Sequence, residues 1–221
     1  MRKNVLLDKL IIFKKERWVF LAKYILIKGD IIKSKSFDNF SEIFSKRVKE
    51  LNYPESVINK FKILKGDEIQ GIFTADLDII NFLRYLRLSL LPLKIRLVIS
   101  TVEKEGKNNL ENNKQLFKKV DSKLDYIGQN RHYKSYFISA DDFTEKSINT
   151  IMLLIDKLRF SWDKNEWNLY FDYADHQNFE LMAQKYNYEG DRLSKLAQNL
   201  GFEEILFSEL NLEQIFKSKF Y

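Results

Sequence analysis

The chain contains no cysteine. That excludes a disulfide scaffold, a thiolate nucleophile and any zinc site built on sulfur. Histidine is almost as scarce: His132 and His176 stand in polar contexts far apart in sequence and read as surface residues. This argues against a histidine-based metal site, so a metal here is expected to be a hard cation held by carboxylates. With only 2 prolines and 7 glycines, each of them marks a place where an element stops or the chain needs room. No run approaches the ~20 apolar residues of a membrane span. The N-terminus begins like a secretion signal. However, Asp8 and Lys9 interrupt its apolar stretch, and Lys14, Lys15, Glu16 and Arg17 follow without a small-residue cleavage site. The expectation is a cytoplasmic protein with no membrane span.

At 45% hydrophobic and 31% charged residues the chain is globular, not disordered. Its 221 residues fit one domain with a small appendage. The positive charge is unevenly placed. Residues 1–60 hold 14 Lys/Arg against 7 Asp/Glu, and the remainder holds 23 against 24. A basic partner surface would therefore lie in the first quarter, suited to phosphates, nucleic acid or acidic protein. The alternative is a solvated face.

Residues 4–13 are mostly apolar and read as an N-terminal helical extension, 1–20. Lys23 to Gly29 is a β-rich run ended by glycine, with 30–35 as a loop. Phe37, Phe40, Phe44, Val48 and Leu51 recur at helical spacing and predict an amphipathic helix over 37–51. Two short apolar runs, 61–65 and 69–74, are separated only by Gly66-Asp67-Glu68, which predicts a hairpin. Asp76 is placed to cap the next helix, and Pro92 stops it. Residues 93–100 form a fourth strand. The order β-α-β-β-α-β predicts an α+β fold of the ferredoxin-like or palm type, a split βαβ sheet with its helices on one face. A polar loop over 103–115, a helix over 115–125, a fifth strand over 134–139 and a strong helix over 144–160 follow. The palm-like region is assigned to 21–162, with Trp162 and Trp167 at the junction to a helical region, 163–221.

Two Gly-Asp dipeptides, Gly29-Asp30 and Gly66-Asp67, carry the chemistry. In the predicted topology the end of the first strand and the hairpin tip approach each other, which brings Asp30 and Asp67 to one edge beside Glu68. Carboxylates so placed repel unless a cation sits between them. Mg²⁺ is held by one or two carboxylates plus phosphate oxygens, so Mg²⁺ or Mn²⁺ with a nucleoside triphosphate suits the site. Ser34, Lys35 and Lys65 are near enough in sequence to contact phosphate, and Gly29, Ile31 and Gly66 frame them. The alternative is that each dipeptide is a plain turn, since Gly accepts φ > 0 and Asp bonds its local backbone.

These same residues carry a resemblance. The segment Ile27-Lys-Gly-Asp-Ile-Ile-Lys-Ser-Lys35 and the hairpin Lys62-Ile-Leu-Lys-Gly-Asp-Glu-Ile-Gln-Gly-Ile-Phe73 resemble the bacterial SatD family. The likeness is sharp over 22–75 and diffuse to about 100. It implies a domain similar to nucleotide cyclases and GGDEF diguanylate cyclases, followed by a helix-turn-helix. In cyclase-like domains one metal-binding Asp ends the first strand and another sits at the hairpin, which carries over onto Asp30 and Asp67. The chain departs from the family pattern after the fourth strand, where Asn and Lys replace small residues over 104–119. Neither Arg96, inside a strand, nor Arg131, in a loop, falls where a transition-state arginine is expected.

Met182-Ala183, Tyr186-Asn187-Tyr188, Leu193 and Leu196 stand at helix-turn-helix spacing. Ala183 is the small residue where two helices cross, and Asn187 takes the turn position usually given to Gly. Residues 189–199 are then the recognition helix, with Arg192, Ser194, Lys195 and Gln198 available to read DNA. Charge argues the other way: residues 175–221 hold 5 Lys/Arg and 8 Asp/Glu, and phosphate neutralisation drives non-specific DNA affinity. Three readings stand: a nucleotidyl cyclase or related phosphoryl-transfer enzyme, a nucleotide-sensing regulator contacting DNA, and an inactive scaffold working through protein contacts. A homodimer is expected by analogy with cyclases.

Overall fold

The computed structural model describes residues 21–105, 113–130 and 132–220. The expected N-terminal extension, residues 106–112 of the polar loop and Arg131 lie outside the described residues. The strands are β1 (Leu21–Ile31), β2 (Val57–Leu64), β3 (Glu68–Thr74), β4 (Ile95–Glu105) and β5 (Ser135–Ile138). They form one sheet in the order β2-β3-β1-β4-β5. β1 is antiparallel to both its neighbours, β2 is antiparallel to β3, and β5 joins β4 in parallel. The fold is α+β with a mixed sheet. The helices are α1 (Phe40–Lys49), α2 (Ile79–Leu90), α3 (Lys114–Gln129), α4 (Asp142–Arg159), α5 (Lys164–His176), α6 (Phe179–Tyr186), α7 (Gly190–Leu200) and α8 (Phe202–Phe220).

Several boundaries depart from expectation for local reasons. β1 runs through Ile31, because Asp30 pairs with both Glu68 and Arg96 and Ile31 pairs with Ile95. Asp30 is therefore a strand residue, not the first residue of a loop. α1 begins at Phe40, three residues late. Lys33 and Asn39 take left-handed φ of 56° and 54° on either side of a 3₁₀ turn, Ser34–Ser36. α2 is capped by Asp78, whose side chain accepts from the Asn81 N–H at 3.2 Å. The expected cap, Asp76, instead accepts from the Thr74 hydroxyl. β4 continues to Glu105, into the stretch read as a polar loop, because its ladder with β1 extends to Leu21.

Alternation along the strands gives the sheet two apolar faces. Ile25, Ile27 and Ile31 of β1 join Ile69, Phe73, Leu97 and Ile99 beneath α1, α2, α4 and the C-terminal helices. Tyr24, Leu26, Ile72 and Val98 form the other face, against Val120, Leu124 and Ile127 of α3. The expectation of helices on one face thus holds for α1 and α2, while α3 crosses the opposite side. Three buried aliphatic side chains, at roughly 1.5–3 kcal/mol each, hold α3 there.

Helices α5–α8 share the first core. Trp162 and Trp167 are buried and meet edge to face at 5.4 Å, and Phe216 of α8 packs edge-on to Phe137 of β5 at 5.0 Å. Glu209 of α8 is buried between helices. It pairs with Arg84 of α2 at 3.0 Å and with Arg159 of α4, and accepts from the Tyr170 hydroxyl at 2.6 Å. Burial and the Glu209 charge push the Tyr170 phenol up from its ordinary pKa. Removing one member of a buried ion cluster leaves uncompensated charge, which costs about 3–5 kcal/mol. Glu209→Ala is therefore expected to lower unfolding free energy by about that amount in urea titrations. Glu213→Ala, at an exposed i,i+4 pair with Lys217, should change it by less than about 1 kcal/mol.

Candidate functional site at the end of strand β1

The two Gly-Asp dipeptides arise from different local needs. Gly29 lies inside the sheet, where a Cβ would come within 2.6 Å of the Arg96 carbonyl and 2.8 Å of Ile95 and Leu97. Gly66 has φ +84° at the hairpin tip, in open space, following Lys65 at φ 47°. So Gly29 answers a steric demand and Gly66 a conformational one. The Ile31 N–H donates to the Asp67 carbonyl at 3.1 Å and ties the end of β1 to the hairpin tip. The Ser34 hydroxyl donates to Asp67 Oδ2 at 2.7 Å. The 3₁₀ turn after β1 and the hairpin are thereby locked together.

Directly opposed residues in a ladder share a face. Glu68, Asp30 and Arg96 therefore form one row across β3, β1 and β4, and Gln70, Lys28 and Val98 form the next. Arg96 grips Asp30 with both arms of its guanidinium, Nε reaching Oδ1 at 3.0 Å and Nη2 reaching Oδ2. Lys28 is 4% exposed, within 2.9 Å of Glu68 and bonded to Asp121 of α3. Lys65 closes on Glu68 from the other side at 3.4 Å. Burial pushes the Asp30 carboxyl above its ordinary pKa; Arg96 opposes that, and the charges of Asp67 and Glu68 reinforce it. Burial works against the Lys28 charge, but hydrogen bonds to Asp121 and Glu68 outweigh it and raise its pKa.

Asp30 and Asp67 are thus brought together, while the Glu68 carboxylate is turned to Lys28 and Lys65. Lys35 is exposed on the 3₁₀ turn beside Ser34. Gly29 and Ile31 belong to the sheet, and the Ile31 side chain is in the core. Among the described residues no group of three or more His, Asp or Glu side chains converges as metal ligands. Two carboxylates suffice for Mg²⁺ or Mn²⁺ when water and phosphate complete the shell. Asp30 is paired with Arg96, and Asp67 accepts from the Ser34 hydroxyl. Sequence reasoning missed Arg96, Lys28 and Asp121. The signal for Lys28 was legible: Lys28 and Asp30 are two residues apart on a largely apolar strand, so both lie on one face and need partners there.

In the C-terminal region, Asn187 has φ 55° and ends α6, and the Tyr188 N–H returns to the Ala183 carbonyl at 2.9 Å. Leu193 and Ala197 are buried, while Arg192, Ser194, Lys195 and Gln198 are exposed on α7. Glu189 and Asp191 flank the start of that helix and are exposed as well.

The Asp30 pKa generates a test. A carboxyl whose folded pKa is raised contributes stability that is complete below its unfolded pKa and is lost as pH rises through the folded value. Arg96→Met removes the opposing charge and is expected to push the Asp30 pKa further up. Carboxyl-carbon NMR should show that rise, and unfolding free energy should fall more steeply above pH 4 than in the parent protein.

No curated protein matches the chain. The family model for the SatD family matches residues 24–209, which span β1, the hairpin, Arg96 and most of the helical region. That match covers well over half of the chain, and with it this protein belongs to the SatD family.

Proposed function

We propose that this protein is a cation-dependent nucleotide-binding protein in which Asp30 and Asp67 hold Mg²⁺ or Mn²⁺ against the phosphates of a nucleoside triphosphate. The observation that carries the reading is the junction of the strand end and hairpin tip, where two carboxylates on separate elements face one another's charge. Arg96 keeps Asp30 neutralised without a cation. A cation on Asp30 would compete with that pairing, and the planar fork of Arg96 would then suit a phosphate. Ser34 orients Asp67, and Lys35 and Lys65 stand at the two loops that meet there. Lys33 and Lys65 both hold left-handed backbone, and strain of that kind gathers at ligand sites. In this reading β1–β4 with α1 and α2 form a ferredoxin-like palm, similar to nucleotide-cyclase and GGDEF domains, in a cytoplasmic protein that pairs as a homodimer.

The same site serves nucleotidyl cyclisation or a related phosphoryl transfer, or nucleotide sensing that regulates the helical region. A second reading concerns α6 and α7. The left-handed Asn187 turn and the outward row Arg192, Ser194, Lys195 and Gln198 support a helix-turn-helix that touches DNA, with the acidic flank Glu189 and Asp191 limiting affinity.

Nucleoside triphosphate with Mn²⁺ at 100 times its Kd should stabilise the protein by about 2.7 kcal/mol, read as a rise in Tm. Asp30→Asn and Asp67→Asn should each abolish the rise. A rise that survives both would remove the cation site, and one that survives only Asp67→Asn would show that the two carboxylates do not act together. For the second reading, duplex DNA binding at low salt should weaken several-fold in Lys195→Ala, measured by fluorescence anisotropy.

A further inference from the structure

Beside the row that contains Asp30 the sheet carries a groove of about 560 Å³. It lies on the face crossed by α3, over β2 and β3, where α3 does not reach. Its floor is Lys28 and Gln70, its outer wall Lys62 and Asn59 of β2, and its inner wall Phe117 and Asp121 of α3. The ladder register orders these residues in rows. Lys65 lines one end, paired with Glu68 of the row that contains Asp30; Lys28, Gln70 and Lys62 come next, and Ile72 with Asn59 follow under Phe117. From Glu68 to Ile72 is four strand residues, or about 13 Å at 3.2–3.4 Å per residue.

Chemistry changes along the groove in the same direction. The end at Asp30 is ionic, with Lys28, Lys62, Lys65 and Arg96 balanced by Asp30, Asp67, Glu68 and Asp121. A divalent cation added to that balanced set leaves net positive charge, which a polyphosphate matches. The far end offers a half-buried aromatic ring and the Asn59 carboxamide, with the Gln70 carboxamide one row before it, which suit a flat heterocycle with hydrogen-bonding edges. We infer that the groove between β2–β3 and α3 receives the nucleoside of the bound nucleotide, its base lying against Phe117, with the phosphates running past Lys62 toward Asp30 and Asp67. The inference rests on the nucleotide reading above and adds direction to it. It makes α3 part of the binding site: Phe117 supplies the ring and, one turn on, Asp121 holds Lys28.

The test separates base from phosphate. Full-length protein is titrated by calorimetry with ATP, GTP and inorganic tripolyphosphate, each with Mn²⁺. The variants are Phe117→Leu, which keeps apolar packing but removes the ring, Asn59→Ala and Asp30→Asn. The expected result is that Phe117→Leu weakens one or both nucleotides about tenfold, in line with the worth of a stacked base, and leaves tripolyphosphate unchanged. Asn59→Ala should change the preference between ATP and GTP, and Asp30→Asn should weaken all three ligands. Nucleotide binding unchanged in Phe117→Leu but lost in Asp30→Asn overturns the groove and leaves the cation site standing. Nucleotide binding lost in Phe117→Leu but indifferent to Mn²⁺ and Asp30→Asn keeps the groove and overturns the cation reading. Equal affinity for tripolyphosphate and both nucleotides in the parent protein also overturns the groove.

Discussion

Strand β1 is hydrogen-bonded along both edges, and its two sides face different chemistry. Ile25, Ile27 and Ile31 point into the large core, and Tyr24, Leu26, Lys28 and Asp30 point toward α3. A slip of one residue would put Lys28 and Asp30 into hydrocarbon and turn the isoleucines toward the ionic row. Register is therefore strongly specified, and the site inherits its accuracy from it. Gly29 adds a second restraint, because β4 passes so close that no side chain fits. Asp30 is consequently held by sheet geometry and not by a flexible loop, and the hairpin carrying Asp67 is registered against the same strand.

How much of this was legible in the chain depended on whether the information was local. The element order could be read because apolar alternation in 24–31 and 69–73 and the helical spacing of Phe40, Phe44 and Val48 are short-range patterns. The hairpin tip was legible because Gly66 sits between two strand-like runs. Element ends were misplaced where pairing or backbone conformation decided them: β1 past Gly29, β4 past Ser100, α1 after a left-handed Asn39. Of the site, the approach of Asp30 to Asp67 follows from topology, which the order implies. The grip of Arg96 on Asp30 was hidden, because it depends on a register between residues 66 positions apart in sequence. The place of α3 was hidden for a similar reason: its apolar residues show that it packs, but not on which face.

The helical half is bound to the sheet by more than apolar contact. Glu209 gathers Arg84 from α2, Arg159 from α4 and Tyr170 from α5, so four helices converge on one buried carboxylate. Arg87, on the same helix as Arg84, reaches across to Asp156 at 3.3 Å and to the Ile95 carbonyl at 2.9 Å, at the root of β4. Buried ion pairs of this kind specify geometry more than they add net stability. Ile95 precedes Arg96 of the candidate site by one residue, so these contacts run from the root of β4 through α2 to α8. Arg87 thus joins α2 to the root of β4, and Arg84 on the same helix joins α2 to α8.

Lys28 is bonded to carboxylates from two different elements, and they differ in their access to solvent. Glu68 is 16% exposed at its side chain, and Asp121 is 44% exposed. Mobile ions screen a half-exposed pair far more than a buried one. As ionic strength rises, the pair with Asp121 is screened more than the pair with Glu68, while α3 keeps its apolar contacts and the bond from Lys123 to the Tyr136 hydroxyl. Of the two carboxylates that hold Lys28, the one on the helix carrying Phe117 is thus the more sensitive to salt.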